Sequence, residues 1–415
     1  MWLDATTPAD PKLPSAPRIG AAPDWQVHYG GPDQPPRALR NVLKASIESA
    51  PAGSEIIWAT YYFRDRDLAE ALIAARSRGV RVRVLVDARP RRTGANEAVI
   101  ARLRVGLGDG LRLHRPSLPG ARLHAKIYAF SGPRPTVFIG SFNPSGDHPE
   151  SPEVVAEIGN QDRGHNLLVQ FRRPQMVNAV LSQARRLWRD RGVSRFSPTQ
   201  NQPVRAGPAT LYFFPRLQPN IVELHLAGLG PRDSVRAAVS HLGNGPFASA
   251  LASAARRGVQ VKLVVHDTER RGPDGVVTDL ARSGVSIQRY CHPERLPMHA
   301  KFLVVESGGR RASWFGSLNY NLNSQYLNQE ILVHSTNAQL SSELERRFAT
   351  IAAESERFSV GRAACRPRSL GGVKRADRRS GRVFAQASAA AILSYLVRGA
   401  FATFTRSIWS VAEGR

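Results

Sequence analysis

Apolar positions along the chain switch between two periods. In residues 71–87 (ALIAARSRGVRVRVLVD) they recur at helical spacing, stop at Gly79, and resume as a β-branched run. This predicts a helix, a left-handed glycine cap and a buried strand. Residues 250–267 (ALASAARRGVQVKLVVHD) repeat the pattern with Gly258 in the place of Gly79. Two further pairs follow in the same order. Leu123-His124-Ala125-Lys126 returns as Met298-His299-Ala300-Lys301, and Gly140-Ser141-Phe142-Asn143 as Gly316-Ser317-Leu318-Asn319. The separations, 179 between the glycines, 175 between the histidines and 176 between the asparagines, are nearly constant. Three ordered matches at one offset indicate an internal duplication.

Each copy reads as strand, helix, strand, helix, strand, then a run of strands carrying the His and Asn motifs, then a closing helix. Alternating strands and helices predict an α/β fold with a parallel or mixed sheet covered on both faces. The expected divisions are a flexible segment over 1–23, a first unit over 24–192, a polar linker over 193–207 and a second unit over 208–358. A basic linker over 359–382 and an amphipathic C-terminal helix over 383–412 follow. That helix fits either docking on the second unit or lying at a membrane interface beside its polybasic neighbour.

Composition narrows the picture. Lys and Arg outnumber Asp and Glu 58 to 33, a formal charge of +25. The excess suits polyanionic partners, nucleic acid or anionic lipid, as well as a solvated arginine-rich surface. Two cysteines, Cys291 and Cys365, are too few for a disulfide framework and fit a reducing compartment. The N-terminus lacks a charged head followed by an apolar run, so no signal peptide is expected, and no apolar stretch reaches the ~18 residues of a membrane span. These features place the protein in the cytoplasm, with a peripheral membrane association open.

The duplicated motifs carry the chemistry. Side chains two apart on a strand share a face, so His124 projects with Lys126 and His299 with Lys301. Gly-Ser-x-Asn lets backbone approach closely at the glycine and presents an amide. His165 is read as structural or supporting, and the aromatic run Trp58, Tyr61, Tyr62 and Phe63 as core strand. Cys291, His292 and His299 lack a second ligand pair at zinc spacing, so no metal site is expected.

The motifs resemble the phospholipase D superfamily, whose members carry His-x-Lys, a following Asp, and Gly-Ser-x-Asn once in each half. Leu327-Asn328-Gln329-Glu330 is similar to the Asn-x-Glu that follows the second motif in many of them. The resemblance implies two tandem α/β/α sandwich domains related by a pseudo-twofold axis, complete in one chain and so functional as a monomer. It implies catalytic His124, His299, Lys126, Lys301, Asn143 and Asn319, with Ser141, Ser317 and Glu330 in support and no cofactor. One histidine would form a phosphohistidine while the other acts as acid and base.

Three departures stand out. Ser131 and Glu306 occupy the places of the motif aspartates, the loops before Gly140 and Gly316 are slightly long, and Asn166-Leu167-Leu168 replaces Asn-x-Glu in the first half. Tyrosyl-DNA phosphodiesterases also lack the motif aspartate. A carboxylate for His124 is sought among Asp147, Glu150, Glu153 and Glu157. Glu330 is expected beside His299, which would favour His299 as the better oriented base over the family's usual first-half nucleophile. The leading reading is a metal-independent phosphodiesterase or phosphatidyltransferase acting on phospholipid headgroups, as in bacterial phospholipase D and cardiolipin synthase relatives. The alternatives are a nuclease or DNA-end-processing phosphodiesterase, and a non-catalytic binding protein.

Overall fold

A computed structural model describes residues 23–358, apart from 93, 117, 146–154, 156–157 and 191–200. The expected N-terminal segment (but for residue 23), the basic linker and the C-terminal helix lie outside the described residues, as do Asp147, Glu150, Glu153 and Glu157.

The first unit runs β1 (Trp25–Gly30), α1 (Ala38–Glu48), β2 (Glu55–Thr60), α2 (Arg66–Ser77), β3 (Arg81–Asp87), α3 (Glu97–Leu107), β4 (Leu111–His114), β5 (Ile127–Phe130), β6 (Thr136–Gly140), β7 (Asn166–Phe171) and α4 (Pro174–Arg189). The second runs β8 (Val204–Ala206), β9 (Ala209–Phe214), α5 (Ile221–Ala227), β10 (Ser234–Val239), α6 (Pro246–Arg256), β11 (Gln260–His266), α7 (Asp274–Arg282), β12 (Ser286–Tyr290), β13 (Lys301–Ser307), β14 (Arg310–Gly316), α8 (Leu322–Tyr326), β15 (Glu330–Ser335), α9 (Ala338–Ala353) and β16 (Ser355–Arg357).

The duplication is visible in the sheets. The first has the order β1-β7-β6-β5-β2-β3-β4. The second repeats it as β9-β15-β14-β13-β10-β11-β12, with β8 and β16 added at its edges. Only the β2-β3-β4 and β10-β11-β12 pairs are parallel, so each sheet is mixed. β8 falls inside the stretch read from sequence as a polar linker. The predicted glycine caps are present: Gly79 and Gly258 follow α2 and α6 with φ of 87° and 90°, a conformation open to glycine at little cost.

Helices α1–α3 bury the outer face of the first sheet, and α5–α7 that of the second. A third core joins the inner faces of both sheets with α4 and α9, and in it Phe171 stacks on Phe315 at 6.2 Å between centroids. Polar ties reinforce this contact. Arg347 on α9 donates to the Gly30 carbonyl at 2.7 Å and pairs with Asp33 at 2.6 Å. The sandwich is therefore one body, and its shared middle layer is continuous apolar surface. No helix among the described residues is long and apolar enough to cross a membrane. Cys291 is disulfide-bonded.

The turns after β6 and β14 bring the His and Asn motifs into register. Ser141 N donates to Leu167 O at 3.0 Å and Ser317 N to Ile331 O at 2.9 Å, so each turn hugs the neighbouring strand. A Cβ at Gly140 would stand 2.1 Å from Leu167 O, and one at Gly316 2.2 Å from Ile331 O. The obstacle is backbone in both cases and cannot rotate away. Gly140→Ala and Gly316→Ala are each expected to cost ~3 kcal/mol, read as a lowered denaturant midpoint, with activity lost in step.

Candidate active site

The His-x-Lys segments sit at the mouths of β5 and β13: His124–Lys126 lie just ahead of β5, and Lys301 opens β13. Each crosses to the other unit. His124 N donates to Gln329 O and Gln329 N to Arg122 O, at 2.9 and 2.8 Å, making a parallel bridge between Leu123 and Gln329. His299 N donates to His165 O at 2.9 Å, beside a matching bridge between His165 and Met298. The backbones of the two motifs are thus bonded to the start of the partner unit's strand, β15 or β7.

The side chains repeat the exchange. His124 Nδ1 lies 2.8 Å from Glu330 Oε1, and His299 Nδ1 lies 2.9 Å from Asn166 Oδ1. Glu330 opens β15 and Asn166 opens β7. Ser317 Oγ donates to Glu330 Oε2 at 2.5 Å and Ser141 Oγ to Asn166 Oδ1 at 3.0 Å. The two seats are equivalent, one holding a carboxylate and the other an amide.

This corrects two sequence expectations. Glu330 orients His124, not His299, because each imidazole takes its partner from the opposite unit. Asn166 is the counterpart of Glu330 and not of Asn328, so the first unit substitutes its carboxylate rather than lacking one. The counterparts of the motif aspartates lie elsewhere: Ser131 Oγ accepts from Glu55 N at 3.0 Å, and Glu306 pairs with Arg311 at 3.5 Å and Arg236 at 3.8 Å.

With Nδ1 engaged, each Nε2 is the free ring nitrogen. Lys126 and Lys301 are fully buried and reach back to the carbonyls of His124 and His299. Asn143 is held by Gln161, which accepts at 2.8 Å, and by Tyr62 N, which donates at 3.3 Å, while Asn319 Oδ1 has no partner. Tyr61 and Tyr62, read as core strand, lie instead in the turn just past β2 and wall the site, the Tyr61 ring standing 5.1 Å from that of His124. Asp87, which the sequence reading missed, accepts Leu123 N at 2.7 Å and Arg89 N at 2.8 Å and so fixes the approach to His124. His165 is fully buried between Arg347 and Glu354, in a supporting position.

Burial dominates the electrostatics. It holds His124 down to about 4 against the opposing pull of Glu330, and it holds His299 well below its usual value with help from Lys301 and Lys126. Lys126 falls to about 7 and Lys301 well below the usual ammonium range, again by burial, with each other's charge contributing for Lys301. Glu330 is kept ionised by His124 despite burial. Several cations facing one carboxylate in a dry site form a receptor for an anion.

The family model for "Cardiolipin synthase, PLD-like domain" matches residues 43–173 and 229–352, which together hold both sets of motifs. The chain belongs to this phospholipase D-like family. Its similarity to a cardiolipin synthase B from Escherichia coli is 27% identity over 310 residues, 69% of this chain and 72% of that one. In fold it is similar to a phosphatidylserine synthase from Haemophilus influenzae, with TM-score 0.58, 12% identity, and 81% and 87% of the two chains covered. A polyphosphate kinase from Porphyromonas gingivalis gives TM-score 0.52 at 18% identity. There 78% of this chain is covered, and the chain spans 46% of the kinase. Both structural likenesses bear on fold alone. The phospholipase D-like chain is an enzyme of the phosphodiester hydrolase or transferase class.

Two outcomes test the electrostatics. In the free enzyme His124 stays neutral down to about pH 4, and Lys126 loses its proton above about pH 7. Accordingly kcat/KM for an anionic diester should fall below the first value and above the second. Glu330→Gln should lower kcat by ~10²-fold, whereas Asn166→Asp should raise the proton affinity of His299, read as an upward shift of its imidazole titration by NMR.

Proposed function

We propose that the protein is a phosphatidyltransferase or phospholipase D-type hydrolase of phospholipid headgroups that works through a phosphohistidine on His124. One observation carries the mechanism: the carboxylate of Glu330 sits on His124 while His299 faces the neutral amide of Asn166. A carboxylate at Nδ1 enriches the electron pair at Nε2 and balances the positive charge that appears when nitrogen bonds phosphorus. An amide accepts the Nδ1 proton of His299 without stabilising its charged state so strongly, which suits a group that must give its other proton away.

In the first step the His124 Nε2 lone pair forms the N–P bond as the P–O bond to the leaving alcohol breaks. That oxygen takes the proton from His299 Nε2. In the second, a water or alcohol O–H returns a proton to His299 as its oxygen attacks phosphorus, and the N–P electron pair returns to His124. The diester's negative charge offsets the depression of the buried His299 and Lys301 when substrate enters. Lys126 and Lys301 then meet the charge on the phosphoryl oxygens, so the reaction proceeds without a metal. Asn319, with its free Oδ1, is better placed than the engaged Asn143 to meet substrate.

The lipid substrate is supported by the cardiolipin synthase B relative and by the family description. The apolar tail over 383–412 supports a peripheral membrane location. The test gives the full chain, in chelator, labelled phosphatidylglycerol vesicles or labelled DNA. We expect release or transfer of the headgroup, loss of ~10³-fold or more in His124→Ala, and an acid-labile phosphoryl label trapped on wild type and absent from His124→Ala. Turnover of DNA alone would replace the lipid reading, and a label that persists in His124→Ala would refute the nucleophile.

A further inference from the structure

We infer that the first unit holds a binding site for a small soluble anion with two or more phosphate groups, in an arginine-lined groove at the end of the sheet opposite the His and Asn motifs. The groove is separate from the reaction cleft. Arg81 opens β3 and Asp87, which accepts Leu123 N beside His124, closes it. The seven residues of that strand put ~20 Å between the groove and the motif.

The groove encloses about 520 Å³, the size of a small-molecule site, between the turns that lead into β3 and β4 and the last turn of α4. Arg76, Arg81, Arg83 and Arg112 line it, against one carboxylate, Asp109. Three of these arginines are set by bonds within the fold. Arg76 pairs with Asp109 at 2.9 Å, Arg83 Nη1 donates to Glu55 Oε1 at 2.6 Å, and Arg112 Nη1 donates to Trp188 O. A guanidinium carries five N–H donors, so one or two bonds orient it without exhausting it. Arg81 is exposed, and its guanidinium has no acceptor among the described residues. Trp188 is 6% exposed, with Arg112 4.3 Å and Arg83 5.8 Å from its ring centroid. The indole therefore steadies two cations and leaves no face for a base to stack on. Recognition falls to charge and to planar forks, which match the paired oxygens of phosphate. Four cations against one acid favour a multiply charged ligand.

The duplication supplies an internal control. At the 179-residue offset the second unit has Ala255, Gln260 and Lys262 where the first has Arg76, Arg81 and Arg83. Strand register sets Arg112 beside Leu85 and Gln288 beside Val264, so Gln288 stands in the place of Arg112. It makes the same bond, since Gln288 Nε2 donates to Ala352 O at the end of α9 as Arg112 does to Trp188 O at the end of α4. There β16 pairs with β12 and closes the edge. One corner of the repeated fold is thus closed and carries a single cation. Its twin is open among the described residues and carries four. The closed corner folds without the other three arginines, so folding does not account for them.

A lipid surface offers the same phosphate oxygens. An enzyme docked on a bilayer by this end, however, would turn its cleft away from that bilayer. The placement favours a soluble ligand.

The test titrates pyrophosphate into the full chain at about 0.15 M salt and follows tryptophan fluorescence. We expect a saturable change that Trp188→Phe removes and that sulfate reproduces only at much higher concentration. Arg81→Gln and Arg112→Gln, which copy the residues of the second unit, should each weaken pyrophosphate binding by about 10-fold. Binding that is as tight in Arg81→Gln as in wild type would belong to the reaction cleft and overturn the inference. An equal response to sulfate would show charge attraction alone and overturn it too. Phosphatidylglycerol vesicles that bind through Arg81 while pyrophosphate does not would replace the soluble ligand with a membrane surface. Arg81 is exposed, so Arg81→Gln decides even if Arg112→Gln fails to fold.

Discussion

The structure depends on a reciprocal exchange of hydrogen bonds across the pseudo-twofold axis. Each motif histidine is fixed by its own backbone against the other unit and by its Nδ1 against a side chain of that unit. Ring orientation in such a site is worth having only if the partner is itself rigid. Here the partner residues open β15 and β7, and the serines of the Gly-Ser turns hold their side-chain oxygens. Sheet register thereby sets imidazole geometry. The apolar layer shared by the two inner faces keeps the units from separating, so the site is a property of the packed pair.

Around that exchange the protein gathers positive charge where water is scarce. Lys126, Lys301 and Arg271 are nearly inaccessible, with Glu330 as the ionised acid bonded to His124. Burial depresses the proton affinity of every one of these bases. Such an arrangement stores unfavourable desolvation that an entering anion relieves, and most of that relief falls on the reacting group if the anion is the substrate. The fold and the electrostatics are in this sense one design.

The duplication, both motif sets and the glycine caps could be read from the chain because they are periodic or literal repeats. The partner assignments could not. Gly316 and Glu330 are 14 positions apart, whereas Gly140 and Asn166 are 26 apart, and the inserted residues hid the equivalence of Asn166 with Glu330. Aligning by residue name placed Asn166 against Asn328, but strand register places it against Glu330, since Gly140 faces Leu168 as Gly316 faces Leu332. The crossing of partners between units is likewise invisible to local spacing, because His124 and Glu330 are 206 positions apart. Asp87 carries no motif. Its place beside His124 comes from the backbone groups the fold brings to it.

The difference between Glu330 and Asn166 has a consequence for how such a site can evolve. A symmetric homodimer built from one gene must give both imidazoles the same neighbour, so either ring could take either part and a ligand could bind in two opposed ways. Fusing the copies lifts that restriction. One seat can keep an acid while its twin drifts to an amide, and the cleft acquires a direction: one end attacks, the other releases.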